Sequence, residues 1–372
     1  PAIRDSASVT SIDVGRNFIG QAASLELLAA MKGKSMASIG MAGCKLGVEG
    51  SKVVAEMISV MASITVVDLR YNNLDTESAT MLATVAKEKR ISLCGITPEQ
   101  TEADFSSSKT GSYMRPADAI LLAADLAVRP SVTSIDLSDN ALCGIKVGRG
   151  TYTADGIKAI AESISVSPSV TSVNLSRNQL CGIDERGRGT YNADGIKAIA
   201  DSIAVTASMT SINLSNNNLT GRHFVKETEL PGSNLKVGDK VVHKGKELTV
   251  LVDKDSDGDV LLGTFTGVIA IAEAIRVTPS VTSVGKDGLN LKNNSLGAEG
   301  WGAILTAVCS SAVSKIASID ASGEDIGSKG AKLIAEALRN SVNASITSID
   351  LSENDLGPEG AKALAPAIRD SA

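Results

Sequence analysis

Short apolar lines alternate with longer amphipathic stretches along the chain. The line Val132-Thr-Ser-Ile-Asp-Leu-Ser-Asp-Asn-Ala-Leu142 returns at Val170–Leu180, Met209–Leu219 and Ile346–Leu356. Looser copies begin at Val9, Met36, Ile64 and Ile316, and interrupted ones lie at Ala103–Ser106 and Leu289–Leu296, which makes ten units. Within each line, positions four and six are apolar between polar neighbours, the period of a short strand with one buried face. Position nine carries Asn17, Asn72, Asn140, Asn178, Asn217, Asn294 and Asn354; Cys44 stands there in the second unit, and Glu324 breaks the column in the ninth. An Asn amide at that place bonds backbone groups of the following turn, which would otherwise cost ~1–3 kcal/mol each if buried. The stretches between lines, such as 156–164, 195–203, 327–338 and 357–368, carry apolar residues three and four apart and predict helices. Pro366 is expected to kink or end the last of them.

The strand line joined to Gly-x-x-Gly-Ala-x-x-Leu/Ile-Ala-x-Ala-Leu resembles the ribonuclease-inhibitor-like class of leucine-rich repeats, which includes repeat domains of NOD-like receptors and of the Ran GTPase-activating protein. The resemblance implies an α/β fold: a curved leucine-rich-repeat solenoid with a concave parallel sheet and convex helices. It implies a protein–protein interaction scaffold or structural assembly component rather than an enzyme. Small-GTPase activation is an alternative carried by one member of the class.

The regular pattern is interrupted in informative places. The fifth and sixth units gain about ten residues each, Cys143–Tyr152 and Cys181–Tyr191, expected as loops on one edge. The seventh carries an insert in which Val241, Val242, Leu248, Val250 and Val252 predict short strands around glycine turns. The layout expected is therefore repeats one to seven over 1–219, a small β-rich subdomain over 220–266, and repeats eight to ten over 267–372. Asp253, Asp255, Asp257 and Asp259 resemble the start of a calcium loop with Gly258 at its sixth position, but Thr264 stands where the bidentate Glu belongs. A polar hairpin turn is the preferred reading, with a calcium-responsive insert as the alternative and no cofactor expected. The heptapeptide 1–7 is identical to 366–372. It suggests a piece of a longer array, or head-to-tail self-association.

Composition narrows the function. The chain has 372 residues, a net charge of −6 with both signs interspersed, and nine aromatic residues, so thin layers of Ala, Ile, Leu and Val must fill its interior. The acidic balance argues against nucleic acid as a partner. No apolar run is long enough to span a membrane, no leader is visible, and five scattered cysteines suit a reducing, cytoplasmic setting, although Pro1 leaves room for a truncated N-terminus. No metalloprotease, nucleophile-elbow or phosphate-loop motif occurs. Candidate partner contacts on the concave face are Arg16, Phe18, Arg70, Tyr71 and Arg177, which break a monotony of Ser, Asp and Asn. On the loop edge, Arg149 and Tyr152, Arg188 and Tyr191, and Arg222 and Phe224 recur in three successive units. Arg and Tyr are enriched at the centres of binding surfaces.

Overall fold

The computed structural model describes residues 8–370 apart from Glu185, Ser233, Val237, Lys244 and Asp253. The two matching heptapeptides thus lie wholly or partly outside the described residues. The chain forms two compact units, Pro1–Gly144 with Thr153–Asn174, and Ile145–Tyr152 with Leu175–Ala372.

In the first unit, strands β1 (Ser11–Asp13), β2 (Ser38–Gly40), β3 (Val66–Asp68), β4 (Glu102–Asp104), β5 (Ser134–Asp136) and β6 (Ser172–Asn174) alternate with helices. The helices are α1 (Gln21–Met31), α2 (Gly47–Val60), α3 (Thr76–Lys89), a single turn α4 (Ser107–Thr110), α5 (Pro116–Val128) and α6 (Asp155–Val166). Strands β1 to β3 pair in parallel, as do β4 to β6, with equivalent residues opposite: Ile12 faces Ile39, and Ile135 faces Val173. Ile39, Val67, Ile135 and Val173 are buried, while the flanking residues of β3, β5 and β6 are more open.

The fourth line departs from the pattern. Ser92 and Cys94 reach β3 only through isolated bridges to Val66 and Asp68. Helix α5 is apolar almost all round and correspondingly buried, yet it carries Asp118 and Asp125. The Asp125 carboxylate accepts from Ser92 Oγ at 2.5 Å, Leu93 N at 2.5 Å and Cys94 N at 2.9 Å. Arg129 is buried and donates to the carbonyls of Thr65, Arg90, Val128 and Ile96. Side-chain groups thus supply bonds that a regular strand would have made. Burial pushes Asp125 up to about 7 and Asp118 up to about 6.

In the second unit, β7 (Ser211–Asn213), β12 (Ser283–Val284), β13 (Leu289–Asn290), β14 (Ser318–Asp320) and β15 (Ser348–Asp350) form a parallel array in the order β7-β13-β12-β14-β15. It is accompanied by α7 (Asp194–Val205), α8 (Thr266–Val277), α9 (Gly297–Cys309), α10 (Gly327–Arg339) and α11 (Gly357–Asp370). The interrupted eighth line supplies two strands, because the loop Gly285–Gly288 lets Val284 and Leu289 pair with each other. Helix α11 runs through Pro366 rather than ending there. Proline removes only the bond to the carbonyl of Lys362, an exposed residue that water can reach.

The asparagine column is a relay. Asn217 Nδ2 donates to Leu214 O at 2.9 Å and to Leu175 O of the preceding line at 3.0 Å, while its Oδ1 accepts from Asn178 N at 2.9 Å. Asn294 repeats this one line on, accepting from Asn217 N at 2.8 Å. The break expected at Glu324 is half filled: its Oε1 accepts from Asn293 N at 3.1 Å, and Oε2 accepts from the Trp301 indole at 3.3 Å. Burial raises the Glu324 carboxyl above its ordinary value.

Gly330, in the first turn of α10, is a packing requirement. A Cβ on Gly330 would sit 2.4 Å from Ile326 Cγ2 and 2.9 Å from Ala298 Cα, so α10 can approach α9 only without one.

The insert folds as a four-stranded antiparallel sheet: β8 (His223–Lys226), β9 (Lys240–His243), β10 (Lys246–Val252) and β11 (Asp259–Gly263), in the order β8-β11-β10-β9. Val225, Leu230, Val241, Leu248, Val250, Val260 and Leu262 form its own core. His223 and His243 stand on the two outermost strands, yet their rings lie 6.4 Å apart. The sheet is therefore rolled until its edges approach. Among the described residues, no helix is long and apolar enough to cross a membrane.

Candidate functional site

The loop edge of the second unit is built by stacked glycine-rich segments. The segment around Gly148 rests on the next one: a Cβ there would lie 2.9 Å from Asp184 Oδ2 and 3.0 Å from Arg188 Cβ. Gly187 rests in turn on the start of the insert, 2.9 Å from His223 Cβ and 3.0 Å from Arg222 O by the same measure. Both glycines have positive φ, 68° and 72°, which a side chain would strain.

The two tyrosines among the loop-edge candidates make internal joints. Tyr152 Oη donates to Leu180 O at 3.2 Å and accepts from Gly195 N, in the first turn of α7, at 3.0 Å. Tyr191 repeats the arrangement one unit on, donating to Leu219 O at 3.0 Å and accepting from Gly267 N in α8 at 3.1 Å. First-turn amides have no partner inside their own helix; each hydroxyl supplies one and ties the helix to the preceding strand line. Burial raises the Tyr191 hydroxyl far above its ordinary value and the Cys181 thiol to about 12. All five cysteines are buried, and none is in a disulfide.

Arg188 is also engaged internally. Its Nε bonds Asp184 Oδ2 at 2.7 Å, and Nη2 reaches Val147 O at 3.3 Å. Burial works against ionisation of Asp184, but bonds from the Arg188 side chain and from the backbone N–H groups of Arg188 and Arg186 outweigh it and hold its pKa low. Arg149 is exposed and Arg222 half-buried, and neither guanidinium bonds another described residue. Phe224, on β8, is 66% exposed. Between the Ile183–Tyr191 loop and β8 lies a cleft of about 470 Å³, walled by Ile183, Val225 and Leu248 and rimmed by Arg186, His223 and Phe224. Arg186 and His223 were not singled out in the sequence, because Arg186 sits one step off the repeated Gly-Arg pair. His223 Nδ1 lies 2.8 Å from Gly221 O.

The strand-face candidates divide between the units. Arg16 and Phe18 are exposed in the first, Phe18 at 72%. Arg70 is committed to Asp68, with contacts at 2.5 and 2.9 Å, and its guanidinium stacks 5.0 Å from the Phe105 ring centre and 5.7 Å from that of Tyr71. The backbone N of Tyr71 donates to Asp118 at 2.7 Å. This pair fills the junction before β4. Arg177 is exposed in the second unit.

Of the aspartate set, Asp253 lies outside the described residues. Asp255, Asp257 and Asp259 form a tight hairpin turn: Asp255 Oδ1 accepts from Asp257 N at 2.9 Å and Asp259 N at 2.8 Å. Lys226 Nζ neutralises it from beneath, 2.8 Å from Asp257 O and 3.0 Å from Asp259 Oδ2. Among the described residues no group of three or more His, Cys, Asp or Glu could hold a metal ion.

The leucine-rich-repeat family model matches residues 60–83 and 342–365. No curated protein matches the chain. The matched segments each contain one strand line with its turn asparagine, Asn72 or Asn354, and the beginning of the following helix. Together with the strand–helix alternation over both units, they identify the chain as a protein built from leucine-rich repeats.

Proposed function

We propose that the chain is a protein-recognition scaffold of the ribonuclease-inhibitor-like class, with repeats one to seven over 1–219, an inserted module over 220–266 and repeats eight to ten over 267–372. Leucine-rich repeats generally mediate protein–protein interaction. The reading assigns the contact to the loop edge and insert of the second unit. The observation that carries it is the cleft beside β8, where an exposed Phe224 and an exposed Arg186 stand beside the apolar side chains of Ile183, Val225 and Leu248. Aromatic and arginine anchors beside a desolvated pocket are what binding hot spots use.

The test is affinity purification with the intact chain and with a variant in which 220–266 is replaced by Gly-Ala-Glu, the linker at 297–299 that joins Leu296 to Gly300 in a regular unit. Loss of specific partners with the fold retained supports the assignment. Recovery of the same partners refutes it.

A further inference from the structure

We propose that this loop edge docks an acidic peptide segment of the partner protein. The inference rests on the scaffold reading and adds the chemistry of what is bound. The chain is acidic overall, at −6, yet this edge is not. Along the stacked loops and the first residues of the insert the sequence sets Lys146, Arg149, Arg186, Arg188 and Arg222 against Asp184 and Glu185, and the acidic Glu229 and Asp259 line the cleft beside them. Asp184 is consumed by Arg188 and by two backbone amides. The guanidiniums of Arg149, Arg186 and Arg222 make no hydrogen bond or ion pair with any described residue.

The glycine contacts at Gly148 and Gly187 bring the three segments into one stack, so the cations share one surface. Guanidinium forks match carboxylates in a bidentate fashion. Alongside them, the cleft of about 470 Å³ offers Ile183, Val225 and Leu248 to an apolar side chain, with Phe224 on its rim. Lys226, also in the lining, is already paired with Asp259, so the charge offered to a partner comes from the arginines. A segment in which carboxylates flank a large apolar residue satisfies both halves of the surface. A nucleic-acid backbone would use the cations but not the apolar cleft, and is the disfavoured occupant.

Fluorescence anisotropy with a fluorescein-labelled peptide of alternating glutamate and leucine tests this, beside a lysine–leucine peptide and a labelled oligothymidine. The acidic peptide is expected to bind, more weakly as salt rises. The combined R149A, R186A and R222A variant is expected to lose about tenfold or more in affinity, and F224A to weaken binding without changing its salt dependence. Circular dichroism shows whether each variant keeps its fold. Equal binding of the acidic and basic peptides, binding of oligothymidine alone, or undiminished binding by the triple variant would overturn the proposal. If the acidic peptide fails while insert-dependent partners are still recovered, the scaffold reading stands and the acidic partner class falls. If both fail, both fall.

Discussion

Replacing Tyr191 by Phe removes one oxygen and tests how the second unit is held together. That hydroxyl bonds Leu219 O and Gly267 N at once. Its loss leaves an orphan amide in the first turn of α8 and a carbonyl without its donor, both in a half-buried place. Hydrogen bonds contribute ~0.5–1.5 kcal/mol net each, and a buried group left unsatisfied costs ~1–3 kcal/mol. The expected loss for Y191F is therefore about 1–3 kcal/mol. Trp301, the single tryptophan, is buried in α9 of the same unit and reports its unfolding. A urea titration followed by Trp301 emission should show the midpoint fall without a change in slope. The chain contains its own control: Phe265 stands where the third tyrosine of the series would be, in the frame Gly-Thr-Phe after the insert. The next helix, α9, begins through the short Leu296–Gly297 link, so F265Y should gain nothing. A Y191F midpoint within about 0.5 kcal/mol of the parent, the range of an ordinary surface change, would refute the joint.

Other expectations are as direct. Asp125 has a folded pKa of about 7, above its unfolded value. Its contribution is fully present only below about 4 and is lost as pH rises through 7; D125N should flatten that slope in urea melts followed by circular dichroism, while costing ~1–3 kcal/mol by orphaning Cys94 N. G330A should destabilise by about 1–3 kcal/mol through overpacking against Ile326 and Ala298, despite the better helix propensity of alanine, and Trp301 emission during urea unfolding would show it. Trp301 emission should also titrate with Glu324, at a pH raised from the ordinary carboxyl value, and E324Q should abolish that step, because the indole N–H bonds Oε2.

The fold was legible wherever a residue's role repeats. Asn140, Asn217 and Asn354 announce their turn because the same amide faces the equivalent carbonyls in each of their lines. What stayed hidden depends on partners far apart in sequence. Tyr152 reads as an exposed recognition residue until its hydroxyl is found between Leu180 and Gly195, 28 and 43 residues away. Arg70 and Tyr71 look like surface anchors, but the missing regular strand after β3 draws them into a junction with Asp68 and Phe105. Asp125 lies in an apolar helix, and nothing local says that its carboxylate stands in for a strand partner. Glu324 breaks a pattern by identity and keeps half of it by chemistry, since only the acceptor role of the amide carries over.

One hydroxyl touches both the residue before the insert, Leu219, and the helix turn just after it, Gly267. The excursion of nearly fifty residues therefore leaves and re-enters the repeat frame at a single pinned socket and carries its own apolar core. What is plugged into that socket can change in length and sequence while the neighbouring helices and strand lines keep their spacing. The first residues of the insert stay tied to the frame, because Arg222 and His223 bear on Gly187 of the preceding loop, while the module beyond them folds on its own core.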